Sequence, residues 1–509
     1  MKTHKKIKFK VYTPNQTYLF PPSVEDFIPE AHPVRIVNQV IDKINLDPLM
    51  ESYKGGGTSS YHPRMLLKVL VYAYLSNIYS SRKIEEALMQ NVFFMWLSGM
   101  NKPDHNTINR FRSDRLKDTL KSVFTQIVIL LAEQNVINLK ELYTDGTRLE
   151  ANANKYTFVW GGAIKTSKER IRQQLDDLWA YAQRIAAEEM SDTAPLTYEQ
   201  IDAEKVKQTI EQIDQALTDK HIDPKKRQKL NYARKNWPKN LEKYEEQQKL
   251  MGERRNYSKT DPDATFMRMK EDYMKNGQLK PGYNLQISTN NQFIVNYSLH
   301  QISNDMTVLA PHIQDFIEQF KMTPEAVIAD AGYGSQENYD FLLHNQIDAF
   351  VKYPYFDKEQ GRSGNENPFA QDNLYYNEQN DCFYCPMGQC MSNVGKYRKI
   401  TDNGYEQKIT IYEAQNCQHC PLRGSCHNQK GNRQIKVNHK LRWHKHQARE
   451  KLLSPEGIKH RKQRPCDTEP VFGNLKYNNK FKRFNLRGMQ KVQIEVGLLA
   501  IANNLMKVA

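Results

Sequence analysis

Apolar residues in the first part of the chain recur at helical spacing and predict a group of short helices. The predicted helices begin near Pro33, Pro63, Ser81 and Pro103. The polar stretch Tyr79–Lys83 is similar to the turn of a helix-turn-helix, and Arg110 and Arg112 lie on the last helix. The region is therefore either an ordinary helical bundle or a DNA-binding unit whose arginines contact phosphates. Residues 1–30 are expected to form an extended arm.

Two short apolar runs farther along the chain each end in an aspartate that is followed by glycine within two residues. These aspartates are Asp145 and Asp330, and the pattern predicts a carboxylate at the tip of a buried strand. Further strands are predicted at Tyr283–Ser288, Phe293–Leu299 and 349–353, the first two joined as a hairpin. Helices are predicted near 307–320 and 337–345. This order predicts an α/β core with an antiparallel edge.

The composition changes between about residues 165 and 248 to Lys, Glu, Gln and Ala with few glycines. Apolar positions near 171–185 and 201–217 predict two long helices. They favour a helical-hairpin or coiled-coil insertion in the core. Such an arm either contacts DNA or a second subunit, or is simply solvated.

A third acidic residue, Glu469, precedes Pro470, which predicts a position at or near a helix start. Taken singly, an Asp before Gly is most often a turn former, and a Glu before Pro is most often a solvated helix start. Two strand-borne aspartates and a helix-borne glutamate together provide the oxygen ligands that Mg²⁺ prefers. They match the needs of a two-metal phosphoryl-transfer site, whose ions lie about 3.5–4 Å apart.

The charge of the chain is strongly uneven. The formal net charge is +15, and from Lys430 to the end 19 Lys or Arg face 5 Asp or Glu, a local net of +14. A basic surface near the proposed glutamate favours a nucleic-acid substrate over a tail that only aids solubility. The hydrophobic share of 39% excludes global disorder. No apolar run is long enough for a membrane span or signal peptide, so a soluble, cytoplasmic protein is expected, with no membrane partner.

All seven cysteines fall between residues 382 and 466. Two Cys-x-x-Cys pairs, at 382/385 and 417/420, can place four thiolates in a tetrahedron. In a cytosolic protein, structural zinc fits this pattern better than disulfides do. The alternative is a set of reduced cysteines that bind no metal.

Four stretches of the chain resemble the DDE-type transposases of bacterial insertion sequences. They are Tyr143–Asn154, Ile328–Gly334, Glu469–Lys476 and Phe481–Gly488. The resemblance extends from about Tyr12 to the C-terminus and implies a ribonuclease-H-like catalytic domain. By position, Asp145, Asp330 and Glu469 match the catalytic triad, which would hold two Mg²⁺ or Mn²⁺ ions.

The sequence departs from that family upstream of the glutamate. Many members carry Tyr and Arg seven and four residues before it, where this chain has Lys462 and Pro465. Arg461 and Arg464 are out of register, so no upstream arginine is assigned a role. The family's lysine seven residues after the glutamate is present, and at helical spacing it shares the face of Glu469. The predicted phosphate contacts near the site are Lys476, Arg483 and Arg487.

The cysteine pattern also resembles that of these transposases, with Pro after the second cysteine and a later group of three. The predicted zinc ligands are Cys385, Cys417, Cys420 and Cys426. Cys382, Cys390 and His427 are the possible substitutes. Cys466 is expected to be a small apolar residue.

The predicted architecture is a ribonuclease-H-like α/β core, a mixed sheet flanked by helices, with an all-α N-terminal domain and two insertions. The predicted domains are a DNA-binding domain (1–135), first parts of the core (136–164 and 256–353), a helical insertion (165–255), a zinc-binding insertion (354–440) and the last part of the core (441–509).

The predicted function is that of a transposase, which would bind its element's terminal inverted repeats in double-stranded DNA, cut there and join the ends to target DNA. It is expected to act as a homodimer or larger assembly on DNA, associated with the bacterial nucleoid. The alternatives are a metal-dependent nuclease of the same fold, and a transposase-derived protein that binds DNA without catalysis.

Overall fold

The computed structural model of the protein describes residues 23–53, 60–186, 202–269, 277–361, 367–401 and 403–509. Most of the predicted N-terminal arm, residues 1–22, lies outside these ranges. The chain divides into two compact units, 1–123 with 501–509, and 124–500. None of the helices formed by the described residues has the length and apolar character needed to cross a membrane.

The described residues between 23 and 133 form helices and no strands. After a 3-10 turn at Val24–Phe27, these are α1 (Pro33–Lys43), α2 (Asp47–Glu51), α3 (Pro63–Leu75), α4 (Ser81–Gln90), α5 (Val92–Leu97), α6 (His105–Arg110), a π-helical turn (Phe111–Arg115) and α7 (Leu120–Glu133). The four predicted helices are present as α1, α3, α4 and α6. Proline stands in the first turn of α1 and α3, where its missing N–H costs no hydrogen bond.

The next part of the chain alternates strands and helices. Its elements are β1 (Glu141–Glu150), β2 (Phe158–Trp160), α8 (Gly161–Ile185), α9 (Ala203–Ala216), α10 (Pro224–Met251), β3 (Asn256–Ser258), β4 (Thr265–Arg268), β5 (Leu279–Asn290), β6 (Phe293–His300), α11 (Leu309–Phe320), β7 (Ala326–Ala329), α12 (Gln336–His344) and β8 (Asp348–Val351). Two 3-10 turns, at Asp305–Thr307 and Ala331–Tyr333, precede α11 and α12.

Six of these strands form one mixed sheet. Its order is β4-β5-β1-β7-β8, and β6 also pairs with β5. The pairs β1–β5 and β5–β6 are antiparallel, whereas β1–β7 and β7–β8 are parallel. The predicted α/β core with an antiparallel edge is confirmed, including the β5–β6 hairpin.

The insertion contains three helices: the two predicted ones, present as α8 and α9, and a third, α10, that was not predicted. The helices α8, α9 and α10 share a core of their own, to which α10 contributes Leu230, Ala233, Trp237 and Leu241. These four residues recur at spacings of three and four, as expected for one helix face. This helix was not predicted because many lysines lie between these apolar positions and because Pro238 lies inside the helix.

The cysteine-rich region forms a second, antiparallel sheet of order β13-β12-β11-β10-β9. Its elements are α13 (Phe356–Glu359), a 3-10 turn (Gln371–Asn373), β9 (Tyr376–Asn377), β10 (Cys382–Tyr384), β11 (Cys390–Ile400), β12 (Glu406–Ala414), α14 (Arg423–Cys426) and β13 (Gln434–Val437). Helix, turn and strand residues therefore occupy part of the stretch 354–380.

The last part of the chain is helical. It consists of α15 (His439–Leu453), α16 (Pro455–Gly473), a π-helical turn (Asn474–Asn478) and α17 (Met489–Val508). Glu469 lies near the end of α16 and Pro470 inside it, so the predicted helix start at this point is wrong. A proline inside a helix leaves the carbonyl four residues earlier without its N–H partner. Here that carbonyl, on Cys466, accepts a hydrogen bond from Gln292 Nε2 at 3.0 Å.

Candidate active site and cysteine cluster

Asp145 lies within β1, and Asp330 directly follows β7, the parallel neighbour of β1. The last register pair of the two strands is Tyr143 with Ile328, and each aspartate lies two residues farther along its segment. Because both strands run in the same direction, both aspartates lie near the end of β7. Asp330 Oδ1 accepts a hydrogen bond from Gly332 N at 2.8 Å, which caps the following turn.

Asp145 does not end its strand, contrary to prediction. The strand β1 continues to Glu150 because its other edge remains paired with β5. Gly146 is needed inside the strand for a different reason than a turn. A Cβ atom at this position would lie 2.5 Å from Gln286 Nε2, so a larger residue would require the Gln286 side chain to shift from its present hydrogen bonds.

A hydrogen-bonded network surrounds this point of the sheet. The Tyr333 hydroxyl donates to Gln286 Oε1, and Gln286 Nε2 donates to Asp305 Oδ1 at 3.1 Å. The same Asp305 oxygen accepts from Asn284 Nδ2 at 2.7 Å. Sequence reasoning missed Asp305, which follows a polar loop and no apolar run.

The Tyr333 hydroxyl is influenced by the acidic residues of this region. Burial raises the pKa of Tyr333 well above its ordinary value, and the negative charges of Asp145, Asp305 and Asp330 raise it further. The positive charge of Arg464 opposes this rise. The hydroxyl is therefore a neutral hydrogen-bond donor.

Helix α16 places Arg464 next to Asp145. Arg464 Nη1 lies 3.2 Å from Asp145 Oδ2, and the side chains are 16% and 14% exposed. One turn earlier on the helix, His460 Nδ1 lies 3.0 Å from the Tyr143 hydroxyl. Arg464 had been given no role because it is out of register with the resembled family. It lies four residues after His460 and so on the same helix face, but nothing in the sequence shows that this face packs on β1.

The third predicted carboxylate is not brought into a metal-binding group with the other two. Glu469 is exposed, whereas Lys476 is buried. Their predicted common face assumed regular α-helical spacing, which the π-helical turn Asn474–Asn478 interrupts between them. Throughout the described ranges, no three His, Cys, Asp or Glu side chains are placed so that they could hold a metal ion together.

The predicted DNA-contacting arginines differ in their surroundings. Arg110 is exposed. Arg112 is only 3% exposed, and its Nη1 donates to the Tyr79 carbonyl at 2.7 Å, so its expected availability for phosphate is wrong. Periodicity alone could not show that it turns inward to hold the loop between α3 and α4.

Two later arginines are fixed to the backbone that follows β1. Arg483 Nε donates to the Ala151 carbonyl at 3.1 Å, and Arg487 Nε donates to the Asn152 carbonyl at 2.7 Å. Both arginines are exposed. Their charged heads are therefore held near the end of the strand that carries Asp145 while still facing solvent.

The four cysteines predicted as zinc ligands line one small cavity. They are Cys385, Cys417, Cys420 and Cys426. His427 lines the same cavity, and its Nε2 is buried without a hydrogen-bond partner. Cys382 and Cys390 hydrogen-bond to each other and are not among the lining residues. Cys466 is exposed, so it is not the packed apolar residue that was expected.

Two family models match the chain. The model described as "Transposase DDE domain" matches residues 384–509, and the model described as "Transposase domain (DUF772)" matches residues 22–114. No curated protein matches. Glu469 and the four cavity cysteines lie within the first match, whereas Asp145 and Asp330 lie outside both. Both matches are to transposase models, and together with the mixed sheet flanked by helices they support a DDE-type transposase of the insertion-sequence type.

Proposed function

We propose that this protein binds the ends of an insertion sequence and catalyses metal-dependent cleavage and strand transfer of DNA. The observation that supports the proposal is the position of Asp145 and Asp330, each two residues beyond the last register pair of two neighbouring parallel strands, in a chain that matches two transposase models. The order β6-β5-β1-β7-β8 supports the inference that the core is ribonuclease-H-like. On this basis, 136–164, 256–353 and 441–509 are assigned to the core.

Asp145, Asp330 and Glu469 are the residues that would hold two Mg²⁺ or Mn²⁺ ions. The donor chemistry fits, because carboxylate oxygens are the ligands that these hard ions prefer. Glu469 is assigned from its motif, and it lies five residues after Arg464 on the helix that contacts Asp145. Ions bound there would activate the attacking oxygen and stabilise the leaving oxygen of the phosphodiester.

The surrounding residues would keep the carboxylates correctly placed. Arg464 provides a positive charge beside Asp145. The hydrogen bonds that join Asp305, Gln286 and Tyr333 fix the neighbouring polar groups. Such preorganisation matters because a reacting group must be held near its productive geometry.

DNA would be held by the basic surface of the last part of the chain and by the helical region at its start. Arg483 and Arg487 are proposed phosphate contacts near the site, with Lys476 as a further contact if DNA exposes it. Arg110 is a proposed contact of the helical region. Pairing two element ends implies at least a homodimer on DNA, and we place the protein in the cytoplasm, on the nucleoid.

A structural zinc ion is proposed for the cysteine cavity, with Cys385, Cys417, Cys420 and Cys426 as ligands. Thiolates are preferred zinc donors, and a site closed by four of them takes no part in catalysis. The unpartnered Nε2 of His427 makes this imidazole the substitute ligand that best fits the cavity.

Cleavage of end DNA tests the catalytic proposal. Purified protein is incubated with Mg²⁺ and a linear fragment that carries its coding sequence with the natural flanks, and a supercoiled plasmid serves as target. We expect the Asp330→Asn variant to lose cleavage by at least about a thousandfold. The matched control is Asp348→Asn, because Asp348 lies at the opposite end of the parallel strands.

The products separate the alternatives. Cleavage with joined plasmid products supports a transposase, whereas cleavage without joining indicates a nuclease. DNA binding without cleavage, even with Mn²⁺, indicates a non-catalytic relative. Full cleavage by Asp330→Asn would refute the assignment of this aspartate.

A further inference from the structure

Arg433 is a buried arginine at the base of the cysteine-rich sheet, immediately before β13. Its residue surface is only 6% exposed. Burying a guanidinium costs several kcal/mol unless a negative charge lies close by. None of the ion pairs between described residues includes Arg433, although surface arginines of the chain pair with carboxylates.

The donors of Arg433 point instead at cysteine sulfurs. Its backbone N–H donates to Cys417 Sγ at 3.3 Å, and its Nη1 donates to Cys426 Sγ at 3.0 Å. Its Nη2 donates to the Phe369 carbonyl. One residue therefore contacts two of the four proposed zinc ligands, through the main chain and through the charged head.

These contacts make chemical sense when the sulfurs are thiolates. A neutral thiol is a weak acceptor and brings no countercharge, whereas a hydrogen bond to a charged acceptor is roughly twice as strong. Four thiolates around Zn²⁺ carry two net negative charges. A guanidinium beside them reduces this net charge by half. The negative charge of the thiolates in turn lowers the free-energy cost of burying the guanidinium.

We infer that Arg433 is the positioning and charge-compensating residue of a four-cysteine zinc centre. The inference rests on the zinc site proposed above and extends it to a residue outside the ligand set. Arg433 holds Cys417 and Cys426 in place. Binding of an ion would therefore require side-chain rotation mainly of Cys385 and Cys420.

The surrounding module has reason to depend on such a centre. Its own core consists of eight buried side chains, among them Phe383, Tyr412 and Cys417. A core of this size rarely stabilises a module alone, and structural metals commonly supply the remainder. Binding of the ion is then coupled to folding of the module.

The test measures zinc in the full-length protein. The zinc content of wild type and of Arg433→Gln and Arg433→Lys is measured by emission spectroscopy, followed by the rate of zinc transfer to a colorimetric chelator. Loss of a residue that supports metal ligands typically weakens metal affinity 10–100-fold. We expect transfer at least about tenfold faster for Arg433→Gln, and an intermediate rate for Arg433→Lys, which keeps the charge but not the planar fork.

Arg398→Gln is the matched control, because Arg398 lies on β11 of the same sheet but is exposed and pairs with Glu406. Its transfer rate should equal that of wild type. If Arg433→Gln does not fold, the Arg433→Lys rate and Co²⁺ charge-transfer absorption at the thiolates decide the question, and wild-type values for both would overturn the role of Arg433.

The outcomes distinguish the two claims. Wild-type protein without zinc refutes the zinc site and the role of Arg433 together, and leaves the cleavage proposal untouched. Zinc-loaded wild type with an unchanged rate in Arg433→Gln refutes the role of Arg433 alone.

Discussion

At the scale of single residues, the chemistry of Asp145 depends on partners that are distant in sequence. Its carboxylate is largely buried, and Arg464 from α16 provides the neighbouring positive charge. The aspartate itself could be predicted because an apolar run and glycine mark it. Its partner could not, since nothing local in the sequence shows which side chain a later helix presents to the sheet.

The Asp145–Arg464 pair can be measured by a double-mutant cycle. We expect Arg464→Met to destabilise the metal-free protein by about 1–3 kcal/mol, because Asp145 is left partly buried without its countercharge. In an Asp145→Asn background the same change should cost much less. Thermal unfolding of the four proteins gives the coupling energy, and additive effects would show that the pair contributes nothing.

The lowered pKa of His300 predicts that the free energy of unfolding depends on pH. Burial lowers its pKa to about 4, and the charge of Asp305 opposes this only in part. Between pH 6.5 and 4 the unfolded state binds a proton that the folded state does not, so stability falls as pH falls through this window. Above pH 6.5 the effect is absent.

The measurement compares thermal unfolding of wild type and His300→Gln at pH 7 and pH 5. Wild type should lose about 2 kcal/mol more than the variant on this change of pH. Equal losses would contradict a depressed histidine pKa. Ser298, whose hydroxyl lies 2.8 Å from His300 Nε2, gives a control in Ser298→Ala, which should keep the pH dependence.

At the scale of elements, the close approach of α15 and α16 depends on one glycine. A Cβ at Gly457 would lie 2.0 Å from the Lys451 carbonyl oxygen and 2.7 Å from Leu452 Cα. These are backbone atoms, which cannot rotate away. Because α16 carries Arg464, its position also decides whether that arginine reaches Asp145.

Gly457→Ala should therefore destabilise the protein by at least about 2 kcal/mol and weaken cleavage. Gly473→Ala is the control in the same helix, because nothing lies within 4 Å of an added Cβ there. Because alanine has a higher helix propensity than glycine, Gly473→Ala should be neutral or stabilising by up to about 1 kcal/mol. Equal melting temperatures for the two variants would contradict the packing described for Gly457.

Regular elements were predictable where periodicity and caps agree, as in α1, α3 and the β5–β6 hairpin. They were missed where the local signal is weak or overridden. A polar surface hid the apolar stripe of α10, and contacts from Gln292 allow α16 to continue past Pro470. Tertiary contacts decide such cases, and a local pattern does not contain them.

At the scale of the whole molecule, the net charge of +15 indicates a polyanionic partner. It does not show which Lys and Arg side chains contact that partner. Arg110 and Arg112 are only two residues apart in the sequence. Arg110 is exposed, whereas Arg112 is buried and donates a hydrogen bond to the Tyr79 carbonyl. The assembly of the site is likewise only partly predictable. The two aspartates come from neighbouring parallel segments, whereas the described residues hold no complete group of metal ligands.

Substitutions of the two arginines should affect different properties, DNA binding for Arg110 and stability for Arg112. Arg110→Gln should weaken DNA binding similarly for all sequences and reduce the salt dependence by about one ion, with unchanged melting temperature. Arg112→Gln should instead lower the melting temperature because the Tyr79 carbonyl loses its donor. Fluorescence anisotropy at several salt concentrations, with thermal unfolding, separates the two effects. The reverse pattern would contradict their assigned surroundings.

We propose that Asp145, Asp330 and Glu469 form one metal site when the protein holds DNA. Anomalous diffraction from crystals of a DNA complex soaked in Mn²⁺ tests this proposal. We expect two Mn²⁺ peaks about 3.5–4 Å apart, bound by all three carboxylates. Peaks elsewhere, or a pair bound by the two aspartates with Glu469 remaining in solvent, would contradict it.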